Sequence, residues 1–122
     1  MRLGILFFFL ENLLSNSLYW LDLRKQHEPD FQPRISISLE DDPLTVTYED
    51  NGRGIAKENR ENVFRAFFSL KEKSKRRGLG LYIARECAEY HGGSLALDSH
   101  VNRDTGRLHR FVLQLPDEVV VS

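Results

Sequence analysis

Only Asp41-Asp42-Pro43 separates two alternating segments, and so short a link limits what the chain can fold into. On its N-terminal side, residues 34–40 set Ile35, Ile37 and Leu39 against Arg34, Ser36, Ser38 and Glu40, the period of a half-buried strand. On the other side Leu44, Val46 and Tyr48 alternate in the same way. Parallel pairing needs a crossover of about a dozen residues or more, so this tight turn imposes an antiparallel hairpin.

The segments around the hairpin complete a two-layer α+β sandwich. Residues 5–24 hold neither Pro nor Gly, and Leu10, Leu14, Leu18 and Leu21 recur at helical spacing, which predicts a helix with one buried stripe. The apolar run at residues 3–10 is followed by Glu11, Asn12 and Asn16 with no small-residue cleavage site. It is far shorter than the ~20 residues of a spanning helix, so it reads as the buried start of that helix, making no membrane contact of its own. A short helix is expected over 57–67 and a second from Gly78-Leu79-Gly80 to residue 91, where Gly92-Gly93 stops it. Leu81, Ile83, Ala84, Cys87 and Ala88 are spaced for packing on a sheet, and residues 94–99 and 108–115 alternate as two further strands. The expectation is a mixed, mostly antiparallel sheet with helices on one face, in one domain spanning residues 1–122. A net charge of −1 gives no bulk attraction to nucleic acid or anionic membrane. The one cysteine, Cys87, rules out an internal disulfide and reads as a buried structural thiol in a reducing, cytoplasmic setting.

Three constellations carry chemistry. Asn12 and Asn16 lie one helical turn apart on one face, and an amide oxygen is a hard neutral ligand of the kind Mg²⁺ accepts beside water and phosphate oxygens. The same pair also suits a solvated polar face. Asp50-Asn51-Gly52-Arg53-Gly54 ends the second strand; a carboxylate there can accept from an exocyclic amine such as that of adenine, and glycine permits close approach to a flat ligand. These residue types equally make an ordinary turn. Gly78-Leu79-Gly80-Leu81 opens a helix, where free N–H groups and the helix dipole bind phosphate. Just upstream lie Lys71, Lys73, Lys75, Arg76 and Arg77, a run that alone reads as solvated surface. There is no Gly-Lys-Ser/Thr, so this is not a P-loop.

In this order the pieces resemble the ATP-binding catalytic domain of sensor histidine kinases, part of a superfamily with mismatch-repair and chaperone ATPases and type II topoisomerases. Glu-Asn-Leu-Leu-Ser-Asn-Ser at 11–17 is similar to the family's N box, and Asp-Asn-Gly-Arg-Gly-Ile at 50–55 to its first glycine box. Residues 63–71 are similar to the phenylalanine box and following lysine, residues 77–84 to the second glycine box, and His91-Gly92-Gly93 and Leu115-Pro116 to the usual ending. The resemblance implies the Bergerat-type ATP-binding fold. It implies that Asn16 coordinates Mg²⁺ with Asn12 beside it facing the phosphates, and that Asp50 bonds the adenine amine. Gly52, Gly54 and Ile55 would shape the base pocket. Gly78 and Gly80 would hinge a lid with Arg77, Leu79 and Leu81, Lys71 would contact phosphate, and Phe64, Phe67 and Phe68 would anchor the lid by packing, although a plain core role suits these three better.

Two departures stand out. Arg76 and Arg77 occupy places where the family usually has glycine and a small hydroxyl residue. The chain also begins almost at the N box, so the N-terminal strand and helix of the family's domain are expected to be lacking. The superfamily's hydrolases carry a glutamate general base four residues before the metal-binding asparagine; here that position is Asn12, which cannot take a proton. Glu11 is adjacent but turned about 100° round the helix. This favours phosphoryl transfer to an outside acceptor, a histidine on a separate dimerisation domain, with a response-regulator protein downstream and the cytoplasm as the site of action. None of His27, His91, His100 and His109 suits the acceptor role. The alternative is a nucleotide-dependent switch without kinase activity; a non-nucleotide interaction module requires four coincident boxes.

Overall fold

A computed structural model describes residues 2–41, 43–66, 68 and 79–116. Helix α1 (Arg2–His27) carries Arg24 and Lys25 in its last turn, cations that suit the negative end of a helix dipole. It stops just short of Glu28-Pro29, where the residue before proline disfavours helical backbone.

The buried row of α1 is not the leucine stripe expected from the sequence. Ile5, Phe9, Leu13, Ser17 and Leu21 face inward at successive four-residue steps, while Leu14 and Leu18 are 36% and 63% exposed. Both rows have helical spacing, so periodicity alone does not separate them. The inner row passes through Ser17, a polar residue made compatible with burial by partners on the sheet. The N-terminal apolar run is thus buried on one side only: Ile5 and Phe9 enter the core, while Leu3 and Phe7 stay exposed.

Strands β1 (Ile35–Glu40), β2 (Leu44–Asp50), β3 (Ser94–Leu97) and β4 (Arg110–Leu115) form one sheet in the order β1-β2-β4-β3. Every strand pairing among the described residues is antiparallel, in keeping with the mostly antiparallel sheet expected. Val46, Tyr48, Leu95, Leu97, Phe111, Leu113 and Leu115 bury one face against Ile5, Phe9 and Leu13 of α1 and Ala84 and Ala88 of α2 (Gly80–Tyr90). The opposite face is largely polar, and Arg110 there bridges Glu49 at 3.2 Å and Asp98 at 3.5 Å.

Three local expectations need correction. β1 pairs as the hairpin requires, Ile37 opposite Tyr48 and Leu39 opposite Val46, yet at the sheet edge Ile37 is 44% and Leu39 61% exposed instead of half-buried. The expected helix over 57–67 is two 3₁₀ turns, Lys57–Asn59 and Asn62–Phe64. Asn62 donates its amide to Asn59 Oδ1 at 3.1 Å and Arg60 donates to the Leu97 carbonyl at 2.7 Å, so side-chain bonds and β3 shape this stretch in place of a helical ladder. Cys87 is partly, not fully, buried against the core. No described helix is long and apolar enough to cross a membrane.

Candidate functional site

A cleft of ≈ 810 Å³, counted out to its open mouth, lies where α1, the end of β2, the start of α2 and β4 converge. Leu13, Asn16, Ser17 and Trp20 reach it from α1, Tyr48 and Asp50 from β2, and Leu81 from α2. Apolar walls with a few convergent polar groups are what an amphipathic planar ligand requires.

The floor is a hydrogen-bonded unit around Asp50. Ser17 Oγ donates to Asp50 Oδ2 at 2.6 Å and lies 2.6 Å from the Tyr48 hydroxyl, while the Gly52 N–H donates to Asp50 Oδ1 at 2.9 Å. His109, 5% exposed, holds the backbone of the same residue: its Nδ1 is 3.0 Å from the Asp50 carbonyl. A carbonyl only accepts, so Nδ1 carries the hydrogen, and in the neutral ring Nε2 accepts from the Thr105 hydroxyl at 2.7 Å. The imidazole therefore straps loop 102–107 to the end of β2. Gly54 lies over this ring at φ 71°, and a Cβ there would stand 2.4 Å from His109 Nε2. Asn51 works beside the cleft and not in it: it accepts from the Arg34 N–H at 2.7 Å and donates to the Gln32 carbonyl at 2.7 Å, tying the proline loop to β2.

The other end of the cleft belongs to α1 and α2. Asn16 lines it; Asn12 does not, and donates its amide to the Phe8 carbonyl at 2.8 Å. A Cβ on Gly80 would stand 1.8 Å from Asn12 Oδ1, so the bare Cα lets the two helices meet. Leu79 sits at the N-cap of α2 and accepts from the Ile83 N–H at 2.9 Å.

Of the residues singled out in the sequence, the cleft lining thus includes Asn16, Asp50, Gly54, Ile55 and Leu81. Gly52 acts from behind Asp50, and Asn12, Leu79 and Gly80 pack at the α1–α2 end. Lys71, Arg77 and Gly78 lie outside the described residues, as do Phe67 and the other cations of the run. Phe64 is buried in the core and Phe68 lines the cleft.

Lining residues that were not anticipated include the polar or amphipathic Ser17, Trp20, Tyr48, Arg53 and His109. The Arg53 guanidinium lies 4.5 Å over the Trp20 ring. Burial, with the charge of Arg107, lowers its pKa from the ordinary value. The one local trace of His109 was a histidine beside Arg110 at the start of the apolar alternation of 108–115, which by itself points to no partner.

The family described as "Histidine kinase-, DNA gyrase B-, and HSP90-like ATPase" matches residues 5–119. Sensor histidine kinase GtrS of Pseudomonas aeruginosa is 36% identical over 107 residues, which cover 86% of this chain and 20% of that protein. The chain therefore spans about a fifth of that relative's length. Among solved structures, the catalytic domain of histidine kinase ThkA is similar at 31% identity and a TM-score of 0.55, over 69% of this chain and 53% of that one. A mycobacterial sensor histidine kinase, MprB, shares the fold with a TM-score of 0.65 at 24% identity, over 86% of this chain and 67% of its own.

Proposed function

The chain belongs to the histidine kinase-, DNA gyrase B- and HSP90-like ATPase family, among the ATP-binding catalytic domains of sensor histidine kinases, and from that premise we propose that residues 1–122 are one Mg²⁺-ATP-binding domain that donates the γ-phosphate to a histidine on a separate helical domain. The observation that carries the reading is the sharing of one cleft by the Asp50 carboxylate and the Asn16 amide, with apolar walls beside them.

Each group has a chemical task. Asp50 accepts from the exocyclic amine of the purine, and Trp20, Ile55, Leu81 and Leu108 offer apolar surface to its ring. Gly52 fixes the carboxylate, and Gly54, having no side chain, leaves room for the His109 ring that holds the Asp50 carbonyl. The donor chemistry at the far end fits a divalent cation: Asn16 supplies a neutral hard oxygen, and phosphate oxygens and water supply the rest. Magnesium, when bound there, offsets phosphate charge. Leu79 and Gly80 open α2 toward the phosphates, and Lys71, Arg77 and Gly78 are assigned phosphate contacts on the family resemblance alone.

Asn12 stands where a hydrolase would hold its general base, and its amide is committed to the Phe8 carbonyl. With no group there to take a proton from water, transfer goes to an outside acceptor, where positioning and charge stabilisation dominate. The partners are a histidine-bearing dimerisation domain and a response regulator, and the setting is the cytoplasm.

The test has two parts. A fluorescent ATP analogue binds the chain in a Mg²⁺-dependent manner, and Asp50→Asn, which replaces an acceptor-only group with an amide, weakens it by about tenfold or more. Labelled γ-phosphate then passes to a supplied histidine-bearing helical domain. Binding without transfer to any acceptor would favour the conformational switch; no Mg²⁺-dependent binding would end the reading.

A further inference from the structure

Three polar groups in the cleft floor form a one-way chain of donors. A carboxylate only accepts, so the single hydroxyl hydrogen of Ser17 goes to Asp50 Oδ2, at 2.6 Å. That leaves Ser17 Oγ with lone pairs alone to offer, and the Tyr48 phenol, also 2.6 Å away, must donate to it. The pKa of Tyr48 is raised chiefly by burial, opposed by the Ser17 bond and reinforced by the Asp50 charge, so the phenol keeps its proton. A separation of 2.6 Å at Asp50 is typical of a charge-assisted O–H···O⁻ bond, roughly twice as strong as a neutral one. A buried serine in a helix has its own i−4 carbonyl within reach, yet this hydroxyl spans to β2.

Resting on the reading of Asp50 as the purine contact, we propose that Ser17 and Tyr48 are positioning residues for base recognition, a relay from Tyr48 through Ser17 that fixes the Asp50 carboxylate before the nucleotide arrives. With Oδ2 held by Ser17 and Oδ1 by the Gly52 N–H, the carboxylate plane is set, and one lone pair on each oxygen remains for the ligand. A group already fixed has no rotamer freedom to lose on binding, and the gain goes only to a nucleotide with an amine to offer. The relay is therefore a specificity device. It joins residues 31 and 33 positions apart in the chain.

The experiment measures equilibrium binding of Mg²⁺-ATP and of purine riboside triphosphate, which lacks the exocyclic amine, to the full chain. Ser17→Ala weakens ATP by about tenfold and Tyr48→Phe by about threefold, the pair together is no weaker than Ser17→Ala alone, and the amine-free nucleotide changes by less than about twofold throughout. Tyr48→Phe keeps the buried ring, so it carries the test alone should Ser17→Ala fail to fold. Equal losses for both nucleotides make the two residues merely structural and overturn the relay. If Asp50→Ala meanwhile still removes the preference for ATP over the amine-free nucleotide, the base-contact reading survives; if it does not, both fall.

Discussion

At the Asp50 end of the cleft the carboxylate is held by Ser17 and Gly52 and the backbone carbonyl by His109. At the Asn12–Asn16 end the helices meet through a missing side chain, with Gly80 against the Asn12 amide. The first end is assembled from α1, β2 and loop 102–107, so its geometry is fixed by bonds between distant parts of the chain. The second depends on steric fit between two helices. A base-recognition site gains from pre-set acceptors, because discrimination requires that the wrong edge meet an unyielding group. A phosphate and metal site takes much of its order from the ligand itself.

Three substitutions probe the contrast. Gly54→Ala strikes the bonded end twice, by a positive φ and by collision with the His109 ring. It lowers unfolding free energy in urea by about 3 kcal/mol, and Thr105→Ala does not restore it because the backbone strain remains. Gly80→Ala, at the steric end, loses about 2 kcal/mol. Here a second change, Asn12→Ala, removes the colliding atom and recovers most of the loss. Failure of that rescue would break the contrast, since the α1–α2 end would then be held by more than fit. Arg53→Ala is the mildest: it removes a solvent-facing cation–π contact with Trp20 and costs about 0.5–1 kcal/mol by the same urea measurement.

The Asp50 end was partly legible in the sequence, through a feature read locally: an acidic residue closing an alternating strand ahead of two glycines. The hairpin was legible for the same reason, since its link is too short for anything else. Ser17 was not legible, because its value lies in partners beyond the reach of any periodicity window. Missing it also misaligned α1: a run as apolar as residues 3–10 admits more than one stripe, and the stripe drawn through leucines led to Leu14 and Leu18, which face outward. His109 escaped for a related reason, since its bonds run to a loop and to a carbonyl that carries no sequence signature. The two 3₁₀ turns between residues 57 and 64 depend on a bond from Arg60 to β3, again a non-local cause.

Trp20 is the sole tryptophan in the chain, and it stands in the cleft wall between the Arg53 cation and the edge of Tyr19, whose ring centre is 4.9 Å away. Indole emission responds to neighbouring charge and to water, so tryptophan fluorescence, excited to the red of the absorption of the four tyrosines, reports on one wall of one site. Occupancy of that site can be followed optically without any added label, and a spectrum taken on the bare chain is already a measurement of the cleft.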